Sequence, residues 1–295
     1  SRGLGDVYKR QYMICESINI HEDMDKIKSE ILRFDGAIIC DITGQTRNDI
    51  IKYCFENSKR IYISPKISDI IIRGGTDINL FDSPLLLCRN SGLSFEQRLF
   101  KRIFDIVVSV IGLIILSPFM LIIAAAIKID DGGSIIYKQK RLTINGKEFF
   151  VYKFRSMIPN AEKNGVPQLA TGSDSRITRV GKFLRKCRLD ELPQLFNIIK
   201  GDMSVVGPRP ERPELTEKYE REMPEFKFRL KVKAGLTGYA QVTGVYDTTP
   251  YDKLKMDLMY IERYSMVMDL RIILMTIKTM ISPGEMNSEA DKEKY

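Results

Sequence analysis

The stretch Ile103–Ile127, IFDIVVSVIGLIILSPFMLIIAAAI, is the most hydrophobic part of the 295-residue chain. About 20 apolar residues suffice to span a bilayer, so a transmembrane helix is the first interpretation. Pro118 stands in the middle of the run and, lacking an N–H group, is expected to kink or break a helix. Lys101, Arg102 and Lys128 flank the run at both ends, which favours both ends on the same side of the membrane.

Each half of this segment is short for a bilayer crossing. At 1.5 Å per residue, the part before Pro118 is roughly 22 Å long and the part after it about 15 Å, against about 30 Å of hydrocarbon. We therefore predict a re-entrant membrane helix over residues 103–127, broken at Ser117-Pro118, that enters and leaves the inner leaflet. A single span kinked at Pro118 stays open as the alternative.

Upstream, residues 12–90 alternate between helical and strand patterns. The segment GAIICDI is almost wholly apolar, which is typical of a strand in a sheet covered on both faces, so part of an α/β sheet is expected. Residues 1–11, SRGLGDVYKRQ, fit nothing that follows them. We expect them to be artefactual or disordered, and we expect part of the native N-terminus to precede this sequence.

Between these parts, residues 91–102 read as a linker and the start of an amphipathic helix, with Ser94 and Gln97 forming a capping box. Downstream, Asn145-Gly146 between two β-rich runs predicts a hairpin. The segment GKFLRKCRLDELPQLFNII predicts two helices that bend near Asp190, with Pro193 in the first turn of the second. The apolar segment LRIILMTIKTMI belongs either to the core or to a helix on the membrane surface, and residues 283–295 are expected to be a disordered tail.

The composition narrows the chemistry. The net charge of +8 indicates an anionic partner, such as nucleic acid, phospholipid or a phosphorylated substrate. Five cysteines without a CxxC spacing indicate buried free thiols more than disulfides or a zinc site. Because His21 is the one histidine, a His-based triad or His-metal cluster is not expected, and catalysis would use carboxylates, lysines or hydroxyls.

Adjacent carboxylates, Asp190 and Glu191, follow the cations Arg185, Lys186 and Arg188. These cations are expected to keep a carboxylate ionised at neutral pH. An ionised carboxylate serves as a nucleophile towards phosphorus or as a ligand for Mg²⁺. Taken alone, the pair is more often an N-terminal cap and a first-turn residue that only favour the helix dipole.

Further charged residues each allow a functional and a structural interpretation. Arg209, between two prolines, suits bidentate phosphate recognition or lies in a solvated turn. Lys153 and Arg155 either bind a diphosphate or simply end a solvated strand. Asp257 either binds a metal ion, directly or as a supporting carboxylate, or forms an i,i+4 pair with Lys253 on its helix. The glycines of KAGLTGYAQVTG either let the backbone come close to a bound nucleotide or only form turns.

The order of these motifs strongly resembles one family. KRIFDIVVSVIGLIILSPFMLIIAAAIK, YKFRSM, LRKCRLDELPQLFNIIKGDMSVVGPRPE, KAGLTGYAQV and DLMYIERYSMVMDL are similar to the bacterial sugar transferases, the monotopic polyprenyl-phosphate phosphoglycosyl transferases. The resemblance covers about residues 94–280. It implies transfer of a sugar 1-phosphate from a UDP-sugar to undecaprenyl phosphate, with release of UMP, at the cytoplasmic face of a bacterial cell membrane. Such a reaction initiates exopolysaccharide or other surface glycan assembly.

The resemblance also implies residue roles. Asp190 is the expected nucleophile that forms an aspartyl-phosphosugar, and Glu191 the expected partner of Mg²⁺. Arg185 and Arg209 are expected phosphate or nucleotide contacts, while Ser117-Pro118 matches the helix-breaking pair of the family. The substrate-binding candidates are thus Arg185, Lys153, Arg155 and Arg209, and the metal candidates are Glu191 and Asp257.

The resulting fold class is α/β: a membrane-associated catalytic domain over residues 128–282 with a re-entrant helix, preceded by a partial Rossmann-like domain over residues 12–90. Longer family members carry a complete Rossmann-like domain at that place. Two other functions compete with the enzyme. A membrane-anchored scaffold would use the same basic surface for anionic lipids, whereas nucleic-acid binding lacks any helix-turn-helix, RRM or aromatic-basic pattern and is not expected. The sugar and the oligomeric state are not specified by the sequence, although a homo-oligomer is compatible with it.

Overall fold

A computed structural model describes residues 13–42, 44–80, 82–88, 92–158, 174, 176–244 and 248–281. The chain divides into two compact units, Ser1–Lys66 and Ile67–Tyr295. The boundary lies well before the predicted one near residue 90, because Ile70 is buried in the core of the second unit. The predicted N-terminal segment 1–11 and the predicted tail 283–295 lie outside the described residues.

The first unit contains one β-α-β arrangement. Its elements are α1 (Met24–Arg33), β1 (Gly36–Ile39), α2 (Gly44–Glu56) and β2 (Arg60–Ile63). The two strands are parallel, with Gly36 opposite Arg60, and Ile39 is buried with Ile50 and Cys54. The predicted alternation of helix and strand is confirmed. However, Ile38 in β1 is 47% exposed, so the expected coverage of the strand on both faces is wrong.

The second unit combines one long helix with shorter helices and three strand pairs. Its helices are α3 (Ile67–Arg73), α4 (Phe95–Asp131), α5 (Arg179–Lys186), α6 (Gln194–Lys200), α7 (Pro213–Glu222), α8 (Tyr239–Thr243), α9 (Pro250–Glu262) and α10 (Met266–Ile281). Its strands are β3 (Thr76–Leu80), β4 (Ser83–Leu87), β5 (Ile136–Leu142), β6 (Glu148–Phe154), β7 (Ser204–Val206) and β8 (Gly235–Thr237). Short 3₁₀ segments occupy Ile144–Gly146, Leu189–Glu191 and Pro224–Lys231.

Two strand pairs frame the part of the second unit that concerns function. β5 and β6 form an antiparallel hairpin, and Asn145 and Gly146 take the left-handed φ values of 58° and 72° that the predicted turn requires. β7 and β8 run parallel to each other. The main core joins these strands to α6 and α9 through fully buried side chains, including Val151, Ile198 and Leu258.

The long helix α4 buries polar side chains in its first half and exposes much of its apolar surface. Ser94 caps its start in the predicted capping box with Gln97. Within the described ranges, α4 is the one helix long and apolar enough to cross a membrane. Many of its large apolar side chains are exposed, including Ile114 (69%) and Leu121 (72%), while Ile123 and Ile127 are buried in a small core cluster. A water-soluble protein would bury such a surface, so the exposed face of α4 fits insertion into lipid.

Helical structure continues through Ser117-Pro118, so the predicted break into two separate helices is not seen. Pro118 cannot donate to the carbonyl of Ile114 four residues earlier. The hydroxyl of Ser117 donates to that carbonyl at 3.0 Å. The serine therefore supplies the hydrogen bond that the proline removes, which lets the helix pass through the proline in an apolar environment.

Both ends of α4 bond to the second unit. Near the start, the ammonium of Lys101 pairs with Asp269 of α10 at 2.6 Å, and both side chains are buried. At the other end, Asp131 pairs with Arg155 of β6. One compact unit thus holds the start and the end of the helix, which supports the prediction that both ends face the same side of the membrane.

Candidate active site

The two adjacent carboxylates lie in a tight turn between two helices. α5 ends at Lys186, and Arg188 then takes the left-handed conformation with a φ of 55°. Leu189–Glu191 form a 3₁₀ turn, and α6 begins only at Gln194. The predicted bend near Asp190 is therefore confirmed, whereas Pro193 is the N-cap of α6 and does not lie in its first turn. A non-glycine residue in the left-handed region costs roughly 1–2 kcal/mol, so this turn is under local strain.

Asn197 of α6 fixes the strand that carries Lys153. Its side-chain amide donates to the carbonyl of Phe150 at 2.8 Å and accepts from the N–H of Tyr152 at 2.9 Å. Asn197 is fully buried, so this double hydrogen bond ties α6 rigidly to β6. As a result, Lys153 on β6 faces the carboxylates that precede α6.

Glu191 is the electrostatic centre of the site. Its Oε1 atom accepts from Nζ of Lys153 at 2.8 Å and from Nη2 of Arg209 at 3.0 Å. Burial opposes ionisation of this carboxyl, but the charges of Arg209 and Lys153 outweigh burial and hold the pKa of Glu191 at about 2. Glu191 is thus an anion at any physiological pH.

The pKa of Asp190 is shifted in the opposite direction from that of Glu191. Burial raises its pKa, and the neighbouring charge of Glu191 raises it further, while Lys153 and Arg185 act against the shift. Burial and the charge of Glu191 therefore outweigh the cations near Asp190, while the cations prevail at Glu191. A partly buried carboxylate with a raised pKa is more basic, and so a better nucleophile, than a solvated one.

Arg209 reaches Glu191 from the predicted Pro-Arg-Pro loop. The guanidinium stays 43% exposed while it bonds to Glu191, so it stands at the mouth of the site. The negative charge of Glu191 raises the pKa of Arg209 further. Burial lowers the pKa of Lys153, and the nearby charge of Arg209 contributes to that shift. Two cations around one carboxylate leave a positive excess that suits a phosphate group.

The glycines of KAGLTGY pack against this loop. A Cβ atom on Gly235 would come within 2.1 Å of the main-chain nitrogen of Gly207, and one on Gly238 would come within 2.1 Å of its carbonyl oxygen. The sequence allowed a nucleotide cradle or plain turns. The close backbone approach expected of a cradle is seen, but the main chain approached is that of Gly207. These glycines let β8 support the Pro-Arg-Pro loop.

Two of the predicted site residues have other partners. Arg155 is buried and pairs with Asp131 at the end of α4, so it anchors the membrane helix. Asp257 is 2% exposed and pairs with Arg229 at 2.8 Å. Burial raises the pKa of Asp257 to about 6, and the charge of Glu211 adds to this effect. Neither residue contacts the carboxylate pair through the bonds described above.

The metal prediction fits only in part. Among the described residues, no group of three or more His, Cys, Asp or Glu side chains is placed to hold a metal ion, and Asp257 is engaged by Arg229. Asp190 and Glu191 still provide two adjacent carboxylates. Mg²⁺ usually takes one or two protein carboxylates together with waters and substrate phosphates, so this donor set fits Mg²⁺ brought with a diphosphate.

A shallow cleft opens beside Glu191, and its lining includes residues that the sequence analysis missed. Its lining includes Lys153, Glu191 and Arg209, and also Arg141 of β5 and Gln194 of α6. Arg141 lies two residues beyond Gln139 on the same strand face and donates to that side chain at 2.6 Å. Alternating polar residues along β5 were the available signal for Arg141, but no pattern in the sequence paired β5 with the Pro-Arg-Pro loop.

The arrangement has the parts needed for phosphoryl transfer. Asp190, a carboxylate with a raised pKa, stands beside a carboxylate that stays ionised, and cations from other elements lie near both. Phosphoryl transfer depends mainly on positioning and on cations that stabilise charge on the phosphate oxygens. Arg185, at the end of α5, adds its charge near Asp190. All predicted phosphate-binding residues except Arg155 therefore cluster in one place.

Comparison with known proteins agrees with this geometry. The bacterial sugar transferase family matches residues 96–283. The UDP-glucose:undecaprenyl-phosphate glucose-1-phosphate transferase of Klebsiella pneumoniae is 43% identical over 211 residues, covering 70% of this chain and 43% of that protein. The UDP-N-acetylgalactosamine-undecaprenyl-phosphate N-acetylgalactosaminephosphotransferase of Aeromonas hydrophila is 42% identical over 185 residues, covering 62% of this chain and 44% of that protein.

A shorter relative shows the extent of the match. The exopolysaccharide production protein PSS of Rhizobium leguminosarum bv. phaseoli is 40% identical over 194 residues, which cover 63% of this chain and 96% of that protein. The matches to the Klebsiella and Aeromonas proteins, in contrast, cover less than half of those longer chains. The family match spans α4, both carboxylates, the Pro-Arg-Pro loop and α10. The chain therefore belongs to the bacterial sugar transferase family.

Proposed function

We propose that the protein transfers a sugar 1-phosphate from a UDP-sugar to undecaprenyl phosphate, which produces undecaprenyl-diphosphate-sugar and UMP. The observation that carries the proposal is the placement of Asp190 next to Glu191, whose carboxylate is held by Lys153 and Arg209. The names of the Klebsiella and Aeromonas relatives support both substrates, since they describe this type of transfer. The product would initiate the assembly of an exopolysaccharide or another surface glycan.

In the first step, a carboxylate oxygen of Asp190 attacks the sugar-linked phosphorus of the UDP-sugar. The bond from that phosphorus to the bridging oxygen breaks, and UMP leaves with the bonding electrons. Asp190 then carries the sugar phosphate as an acyl phosphate. Arg209 and Arg185 balance the charge of the phosphate oxygens during this step, which is where cations lower the barrier most.

In the second step, an oxygen of undecaprenyl phosphate attacks the same phosphorus. The bond to Asp190 breaks, the carboxylate is regenerated, and the lipid diphosphate forms. A covalent intermediate lets one site serve a soluble donor and a lipid acceptor in turn. When Mg²⁺ is bound, Asp190 and Glu191 would hold it, and it would neutralise charge on the donor diphosphate.

The membrane helix places this chemistry at the lipid headgroups. The exposed apolar face of α4 would lie in the leaflet, and its two ends are tied to the same unit as the site. A re-entrant arrangement of α4 would hold the site at the cytoplasmic face of the cell membrane, where a UDP-sugar and the lipid phosphate meet. The exposed basic side chains at the site suit both of these anionic substrates.

The Asp190→Asn variant tests the proposal. We expect it to lose UMP release from UDP-sugars and to lose labelling by a donor that carries ³²P in its sugar-linked phosphate, because an amide is a poor nucleophile. The exposed Asp130→Asn variant is the matched control and should keep both signals. Activity of Asp190→Asn at the wild-type level would show that Asp190 is not the nucleophile.

The same assay separates the enzyme from a membrane-anchored scaffold. A scaffold that only holds anionic lipids would release no UMP from any donor. We therefore propose testing UDP-glucose, UDP-galactose and UDP-N-acetylgalactosamine in parallel with undecaprenyl phosphate. Relatives that match this chain bear names with different sugars, so the panel also identifies the donor. Absence of UMP release with every donor would reject the proposed function.

A further inference from the structure

The Pro-Arg-Pro loop is held entirely by groups from other elements. Its prolines, Pro208 and Pro210, have no N–H to close a turn within the loop. The carbonyl of Pro208 instead accepts from the N–H of Gly235 at 2.9 Å, and that of Glu211 accepts from the N–H of Leu142 at 3.1 Å. The loop conformation is therefore imposed from outside.

The two middle carbonyls of the loop accept from arginine side chains. Nη2 of Arg229 donates to the carbonyl of Arg209 at 2.9 Å, and Nη1 of Arg141 donates to the carbonyl of Pro210 at 3.1 Å. Arg229 comes from the 3₁₀ segment Pro224–Lys231 and is only 5% exposed. A buried guanidinium that bonds a carbonyl fixes that carbonyl closely, since a charged donor makes a strong hydrogen bond.

Carboxylates keep Arg229 in place. Asp257 of α9 pairs with Nη2 of Arg229 at 2.8 Å, and Glu211 approaches its Nη1 at 3.6 Å. The guanidinium also lies over the ring of Phe226 at 4.9 Å. Asp257 itself is buried, so removing its charge would leave Arg229 without its main counter-ion in a low-dielectric environment.

We propose that Arg229 is a positioning residue that holds the main chain of Arg209, and that Asp257 acts through Arg229. In this arrangement α9 and the segment Pro224–Lys231 set the point from which the Arg209 guanidinium extends to Glu191. The role of Asp257 is then support of the Pro-Arg-Pro loop, in place of the metal binding expected from the sequence. The proposed effect on donor binding rests on the proposed function, whereas the hold on the loop does not.

Hydrogen–deuterium exchange tests the hold on the loop without any substrate. In Arg229→Met and Asp257→Asn, we expect the peptide spanning residues 204–214 to exchange at least several-fold faster than in the wild type. The reason is that the loop loses the hydrogen bond to Arg229, so its amides become more accessible to exchange. The exposed Lys227→Met on the same segment is the matched control and should not change this peptide. Arg229→Lys, which keeps the charge but loses the forked donor, covers the case in which Arg229→Met does not fold. Unchanged exchange in the folded variants would overturn the proposal, whether or not the protein releases UMP.

A double-mutant comparison separates positioning from general stabilisation. We expect Arg229→Lys to raise the KM for the UDP-sugar roughly tenfold to a hundredfold, since small displacements of a positioned group are costly. In an Arg209→Ala background, the same change should alter KM by less than about twofold, because the group that it positions is gone. An effect of equal size in both backgrounds would show that Arg229 acts on the fold as a whole and would overturn the proposal.

Discussion

Asp190 and Glu191 are neighbours in the chain, yet their carboxyl groups have different environments. Glu191 receives direct hydrogen bonds from Lys153 and Arg209, whereas burial and the charge of Glu191 govern Asp190. Environments that push two adjacent carboxyl pKa values apart commonly separate their chemical roles. Here the separation suits one carboxylate that reacts and one that stays a fixed anion.

The pH dependence of activity should report Asp190. Because the pKa of Glu191 is about 2 and burial raises that of Asp190, we expect the acidic limb of kcat/KM to come from Asp190 and not from Glu191. Lys153 lowers the pKa of Asp190, so Lys153→Gln should move this limb to higher pH. The lost phosphate contact should also reduce kcat/KM about tenfold to a hundredfold.

A pH series of UMP release measures both effects. The control is Lys138→Gln on the neighbouring strand, which removes the same charge where it stacks on Tyr152, away from the carboxylates. The control should leave the position of the limb unchanged. A shift to lower pH in Lys153→Gln, or an equal shift in Lys138→Gln, would contradict the electrostatic assignment.

The sequence could indicate the residue types of the site but not all of their partners. Asp190, Glu191 and Arg209 were predictable because their local patterns are unusual and the family resemblance is specific. Arg155 and Asp257 were placed differently by the fold, since their counter-ions Asp131 and Arg229 are distant in sequence. Long-range ion pairs of this kind have no local signature, and a single sequence does not contain them in readable form.

At the level of elements, the hydroxyl of Ser117 explains how α4 tolerates a proline. It donates to the carbonyl of Ile114, which Pro118 leaves without a helical partner. The pattern of apolar residues and the proline were enough to predict a membrane helix that is kinked or broken at Pro118. They were not enough to predict that helical structure would continue, because the compensating bond depends on the rotamer of one side chain.

Two serines in α4 provide a matched test of this explanation. Ser117→Ala should destabilise the protein by about 1 kcal/mol, which is typical of hydrogen bonds in a membrane helix. Ser117 is exposed, whereas Ser109 is buried and its hydroxyl makes no hydrogen bond within the described part of the chain. Ser109→Ala should therefore change the free energy of unfolding by less than about 0.5 kcal/mol. Unfolding in mixed micelles measures both, and equal effects would contradict the role of Ser117.

The element predictions succeeded where caps and turns are local. The start of α4, with its Ser94 cap, follows from a short motif, as does the hairpin turn at Asn145. The start of α6 did not, because Leu189–Glu191 form a 3₁₀ turn that bends the chain after the left-handed Arg188. Strain of this kind depends on the packed structure around the turn.

On the scale of the whole second unit, α4 is fastened at both ends to the same set of elements. Lys101 pairs with α10, Arg102 donates to the carbonyl of Ile198 in α6, and Asp131 pairs with β6. A helix that crossed the bilayer would place its ends about 30 Å or more apart on opposite faces. The re-entrant arrangement that the basic flanks predict requires attachment of both ends to one side, and it stays a prediction.

Cysteine labelling tests this topology directly. Arg98 and Ser134 lie at the two ends of α4, and both are exposed. In a background without the native cysteines, cysteines at these positions should both resist a membrane-impermeant maleimide in intact spheroplasts and both react after lysis. Labelling of one position in spheroplasts and the other only after lysis would establish a single span and reject the re-entrant arrangement.

The pair between Lys101 and Asp269 also has a consequence for biogenesis, since its members are 168 residues apart in the chain. At translation rates of about 5–20 residues per second, the ribosome makes α10 roughly 10 to 30 s after it has made the start of α4. During that delay Asp105, one helical turn further on, is the carboxylate at hand for Lys101. We expect the nascent α4 to enter the lipid first and to form its ion pair with Asp269 only after α10 has left the ribosome.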